Sequence, residues 1–174
     1  MGLFHRYHST IHGNYRRAYL RGGLALGLLL ALYVLVRLLM RTPMESPLSL
    51  LVDIILIVLI FLLTAWYRNS LPDKLITLKE AFLFGIGTAA VAAVVYGLLL
   101  WAICLASAPQ TILFTNSMLG DGTAGPDTPQ LHYWAAWWAI VAGVETIVLG
   151  AFGAFLAAIL FRNEKSEVKK RTEH

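Results

Sequence analysis

Four apolar runs divide the chain: Gly22–Met40, Leu48–Tyr67, Ala81–Ala106 and Trp134–Phe161. The polar segments between them alternate between Lys/Arg-rich and nearly Lys/Arg-free. A hydrocarbon core about 30 Å thick takes roughly 20 apolar residues per helical crossing, and each run reaches or approaches that length. The pattern predicts an all-α integral membrane protein, a bundle of four transmembrane helices, preceded by a basic segment over 1–21. An outer loop over 107–133 and a charged tail over 162–174 complete the layout. The first run follows basic residues, as a signal peptide does. It is long for a signal core, and no A-x-A-like site follows Leu39–Arg41, so it is expected to remain as a span.

Orientation follows from the basic residues near the span ends, which accumulate in the cytoplasm. Arg6, Arg16, Arg17 and Arg21 precede the first span, and Arg68, Lys74 and Lys79 separate the second from the third. Arg162, Lys165, Lys169, Lys170 and Arg171 follow the fourth, so these three segments hold 12 of the 14 basic residues. The other side has Arg37 and Arg41, and Ser107–Trp134 has none. Both termini are expected to be cytoplasmic. The net charge of +4 then reflects topology and attraction to anionic lipid at the inner leaflet. A nucleic-acid partner is not expected, because no basic groove interleaved with aromatics is present.

Local signals set the helix ends. Ser46-Pro47 and Thr128-Pro129 each combine a favourable N-cap with Pro at the first helical position. Thr77-Leu78-Lys79-Glu80 fits a capping box, which starts the third helix about a turn before its apolar run. Trp66 and Tyr67 are read as anchors at the inner membrane surface. Trp101, Tyr133, Trp134, Trp137 and Trp138 are read as an outer aromatic belt ahead of a ring-stacking ligand surface.

Small residues indicate which helices meet, since lipid tails give apolar helices little reason to associate and close backbone approach must compensate. The third span has Gly85, Ala89, Ala93 and Gly97 at four-residue spacing. The fourth has Ala142, Thr146, Gly150, Ala154 and Ala158 at the same spacing. These ridges predict a rigid pair of the third and fourth spans. The second span, rich in Leu, Ile and Val and lacking Gly, is expected to suit lipid contact.

Composition confirms the class, at 58% hydrophobic and 14% charged residues, and leaves little chain for a soluble catalytic domain. The candidate chemistry is therefore inside the membrane. Arg37, Asp53 and Glu145 interrupt the apolar runs, and a charge near the bilayer centre costs at least ~2.5 kcal/mol on insertion scales. At about 1.5 Å rise per residue they sit roughly 5 to 12 Å below the outer boundary, with Tyr96 in the same layer. The expectation is an outer-leaflet polar cluster. In it Arg37 pairs with Asp53 across the first hairpin, and Glu145 is bonded to Arg37 and Tyr96 or held protonated by desolvation. A buried ion pair that fixes helix register is the plainer reading. Binding of a proton, cation or cationic substrate by Glu145 is the sharper one.

Other chemistry is weaker. His5, His8 and His12 share one helical face, but so do Phe4, Tyr7, Ile11, Tyr15 and Ala18, with Arg6, Arg16 and Arg17 beside them. That pattern reads as a short amphipathic segment lying on the inner leaflet rather than as a metal site, and Gly13 weakens the helix in either case. The sixth residue, Arg6, does not fit a myristoylation signal. Cys104 is the only cysteine, which excludes an internal disulfide and a CxxC pair. Pro109–Gln130 is rich in Gly, Asp and Pro and reads as a turn-rich outer loop. Asp121 and Asp127 lack the acidic ladder of a calcium loop.

Tyr67-Arg68-Asn69, followed by Leu75-Ile76-Thr77-Leu78-Lys79-Glu80-Ala81-Phe82 and Gly85, with Tyr96 later, resembles a bacterial family known as domain of unknown function 4199. The resemblance implies a four-span protein of about this length and brings no activity or catalytic residues.

Function is left open by these signals. No nucleotide loop, metal-ligand spacing or nucleophile motif is present, so an enzyme and a cofactor are not expected. The expectation is a non-enzymatic structural or accessory protein of a bacterial cytoplasmic membrane, associated with itself or with other membrane proteins. The alternative is a small proton- or cation-coupled transporter using Glu145; four spans without an evident repeat would need a dimer to form a path.

Overall fold

The computed structural model describes residues 2–40, 48–71, 76–119 and 128–161, with side chains over 15–40, 52–71, 76–116 and 130–161. Among these residues the chain is helical: α1 (Gly2–Leu39), α2 (Leu48–Ser70), α3 (Leu78–Ala106), α4 (Ala108–Leu119) and α5 (Thr128–Phe161). All except α4 are long and apolar enough to cross a membrane, over Tyr15–Leu39, Val52–Ser70, Leu78–Ala106 and Gln130–Phe161.

The helix ends follow their local chemistry where side chains are described. Thr77 caps α3, its hydroxyl accepting from the Glu80 N–H at 3.2 Å while its own N–H donates to the Glu80 carboxylate at 2.9 Å. These bonds occupy two of the donors that a helix start leaves open. α5 begins at Thr128. The Ser46-Pro47 signal, Asp121 and Asp127 lie outside the described residues.

Spatial order differs from chain order. α3 is the centre, with its broadest contact to α5, the next to α1, and α2 set mainly against α5 and less against α3. Neighbours in sequence, α1 and α2 share only a narrow contact. The α3–α5 seam runs antiparallel with the small residues facing one another. A Cβ added to Gly85 would collide with Ala154, and one added to Gly150 would collide with Ala89. Further along, Gly97 faces the Ala139 carbonyl, 3.3 Å from where its Cβ would stand. Ala89, Ala154 and Ala158 are buried. α1 makes an equally close, parallel approach on another face of α3: a Cβ on Gly23 would lie 2.6 Å from Val91 Cβ and 2.7 Å from the Thr88 carbonyl oxygen. The adjacent Gly22 has its nearest neighbour at 3.6 Å, an ordinary contact.

Three features depart from the sequence reading. First, α1 is one uninterrupted helix of 38 residues, so the basic segment and the first span are continuous. Tyr15 and Ala18, expected to face lipid headgroups, instead join a cluster with Tyr67, Ile76, Ala81, Phe84 and Ala158. Apolar side chains on that face find protein rather than membrane surface because α2 and α3 reach the same level. Second, the expected turn-rich loop is helical over Ala108–Leu119, since its Gly/Asp/Pro-rich part begins only at Gly120. Third, α2 is not purely a lipid-facing helix: Ile54, Val58, Leu62 and Trp66 are exposed, but Leu56, Ile60 and Thr64 are buried, with Ile60 filling the space beside Gly150.

Buried hydroxyls are satisfied within their own helices, Thr64 to the Ile60 carbonyl, Thr88 to Phe84 and Thr146 to Ala142, each at 2.8 Å. Thr therefore occupies these small positions without leaving a polar group unmet. Gly23→Ala is expected to lower stability by about 1–3 kcal/mol, the usual range when atoms are forced into filled space. Gly22→Ala should change it by about 0.5 kcal/mol or less. SDS-induced unfolding in mixed micelles measures both, and equal effects at the two positions would contradict the close approach of α1 to α3.

Candidate functional site

The polar residues of the apolar runs are distributed one to a helix: Arg37 in the last turn of α1, Asp53 near the start of α2, Tyr96 on α3 and Glu145 midway along α5. Tyr96 is the hub. It packs against two clusters of buried residues, one containing Leu26, Leu56 and Ile60 and the other Val34, Leu100 and Ala135. It lies within electrostatic reach of Glu145, Arg37 and Asp53, and Glu145 in turn lies within reach of Asp53.

Burial grades across this layer. Arg37 is buried at 6% exposure, with its guanidinium carbon 5.7 Å from the centre of the Tyr33 ring. Asp53 and Tyr96 are half-buried, and Glu145 is exposed on the outward face of α5. There it shares a shallow groove with Trp137, Ile140, Val141, Val144 and Val148. A cation stays inside, two carboxyl groups lie toward the α2–α5 side, and a phenol stands between them. Such a layer can fix helix register, hold a proton, or present a hydrogen-bonding group to whatever covers α5. The helices that carry Arg37 and Asp53, α1 and α2, meet only narrowly.

The end of the bundle that carries α4 has its own polar ladder, absent from the sequence reading. The indole N–H of Trp138 donates to the Thr115 hydroxyl at 2.9 Å, Thr115 donates to the Thr111 carbonyl at 2.8 Å, and Thr111 donates to the Cys104 carbonyl at 2.8 Å. Phe114 lies 4.7 Å from Trp138, ring centre to ring centre. The ladder ties α5 to α4 and α4 to α3. Its sequence signal is the pair Thr111 and Thr115, one turn apart within an otherwise apolar stretch.

The aromatic anchors therefore divide. Trp66, Trp101 and Trp137 are exposed, and Trp134 is half-buried. Trp138 is engaged with α4. Tyr67 turns inward, stacked on Phe84 at 4.3 Å and 8° with Tyr15 edge-on to both, because a ring at that level has protein on one side. The side chains of His5, His8 and His12 lie outside those described. Among the described residues no three His, Cys, Asp or Glu side chains group to hold a metal ion, and Cys104 is a buried free thiol.

Four long apolar helices packed through small residues are the build of a multi-pass membrane protein. Residues 21–116, more than half of the chain, match the family described as Protein of unknown function (DUF4199), and the chain belongs to that family. The match takes in Arg37, Asp53 and Tyr96 but ends before α5 and Glu145. No curated protein and no solved structure matches the chain.

Thr115→Val, which keeps the side-chain shape and removes the hydroxyl, is expected to cost about 1 kcal/mol and to speed amide exchange in α4. Trp138→Phe combined with it should add less than its separate effect, because both remove the same bond. Hydrogen exchange in detergent reads the result, and unchanged protection of α4 would argue against the ladder.

Proposed function

We propose that the chain is a non-enzymatic structural or accessory protein of a bacterial cytoplasmic membrane, acting within an assembly formed with itself or with other membrane proteins. The observation that supports this reading is the use of the bundle interior. Close backbone approach fills the α3–α5 and α1–α3 seams, so the surfaces left to act are the outward helix faces and the two ends. In this reading Arg37 and Tyr96 hold the α1–α3 side of the polar layer in register, and anionic lipid binds the basic ends.

A proton- or cation-coupled transporter is the second reading. It is favoured by the approach of Asp53 and Tyr96 to Glu145 at one level of the bundle. Purification of the full chain in gentle detergent separates the two: a stable stoichiometric assembly is expected. A Glu145→Gln variant that keeps its fold but loses a proton-driven flux in vesicles would sink the accessory role.

Both termini are placed on the cytoplasmic side, following the distribution of Lys and Arg. A fluorescent protein fused after His174 should then be bright, and alkaline phosphatase inserted between Gly120 and Asp127 should be active. The reverse pair of results would invert the topology.

A further inference from the structure

The outward face of α5 carries an apolar stripe that a lipid tail can cover, and within it a group that a lipid tail cannot serve. Val141, Glu145, Val148, Phe152 and Phe155 follow the four- and three-residue steps of a helix that pairs with another; all are exposed, the four apolar ones by 38–61%. From Val141 to Phe155 the stripe runs about 21 Å at 1.5 Å per residue, some two-thirds of the thickness of the hydrocarbon core. Valine and phenylalanine alone would not require a protein neighbour, since lipid solvates them as well as a helix does. Glu145 changes this. It opens into the groove lined by Trp137, Val141, Val144 and Val148, and no other described residue bonds to it. Asp53, which lies within electrostatic reach of it, is a second carboxyl and not a counter-ion.

The occupant best matched to this face is a second copy of the chain. Copies in one membrane share an orientation, so a two-fold axis along the membrane normal brings α5 against α5 in parallel and sets Glu145 opposite Glu145 at one depth. A carboxyl that retains its proton is both donor and acceptor, which makes it complementary to itself. The repeat of four and three residues is the spacing that a parallel two-stranded contact uses. We propose that α5 is the interface of a parallel, two-fold symmetric dimer, with the two Glu145 carboxyls hydrogen-bonded across the axis. This rests on the accessory reading and names the self-contact within it.

The test uses the full chain in lipid vesicles, with Cys104→Ala removing the one native thiol. Val141→Cys and Val148→Cys should form interchain disulfides under a mild oxidant, whereas Val94→Cys should not, although its position on α3 is 63% exposed. Energy transfer between labelled copies, followed on dilution with lipid, measures the affinity. Glu145→Gln keeps a donor and an acceptor and should dimerise nearly as the parent does. Glu145→Val should weaken the dimer roughly tenfold, the worth of an interhelical polar bond. Cross-linking that is no better on α5 than on α3, or equal dimerisation by Glu145→Val, overturns the proposal. So does a partner helix with a basic residue cross-linking there in place of the second copy. A chain that is monomeric towards itself yet purifies within a larger assembly refutes the dimer and leaves the accessory reading standing; a chain that is both monomeric and alone refutes both.

Discussion

The bundle depends on backbones that come within contact distance of each other. In water, burial of Leu and Ile would hold four helices together, but lipid removes most of that drive, and what remains grows with closeness of approach. Gly85 against Ala154 and Gly150 against Ala89 supply it for α3 and α5, and Gly23 supplies it for α1. Everything else is fitted to these seams. Ile60 of α2 fills the notch that they leave, Thr side chains occupy small positions by bonding to their own helix, and Tyr96 stands where α1, α2 and α5 all reach the centre.

Much of this is legible in the sequence, and the reasons are local. Span number follows from run length, and the start of α3 follows from Thr77 and Glu80, three residues apart. The ridge Gly85, Ala89, Ala93, Gly97 and its counterpart on α5 are visible because the periodicity of a helix converts spacing into a face. The matching ridge on α1 is written just as plainly, as Gly23 and Gly27, but its partner on α3 is a row of β-branched residues and carbonyls rather than a second small-residue ridge. A ridge in only one of two partners does not announce the pair.

The rest is hidden for the opposite reason, because it depends on what lies alongside. Tyr15 and Tyr67 have the composition of interfacial residues, and only the level reached by Phe84 decides that they stack in the protein. Trp138 belongs to a tryptophan cluster that reads as an aromatic belt; its bond to Thr115 requires α4, which lies in a segment dominated to the eye by the glycines and prolines that follow it. For the polar layer, sequence depth brings Arg37, Asp53, Tyr96 and Glu145 to one level. Their grading from a sealed guanidinium to an open carboxyl is a property of the helix arrangement.

The narrow contact between α1 and α2 bears on how the chain is made. A membrane protein leaves the ribosome in chain order, so the first two spans enter the bilayer with almost nothing to say to each other. The main partner of α1 is α3, and most of the contact of α2 is with α5, which follows both in the chain. Of the four spans, α5 is the one that completes this bundle. A chain stalled or cut before α5 lacks the helix that faces Gly85 and Gly97 of α3 and that carries most of the contact of α2.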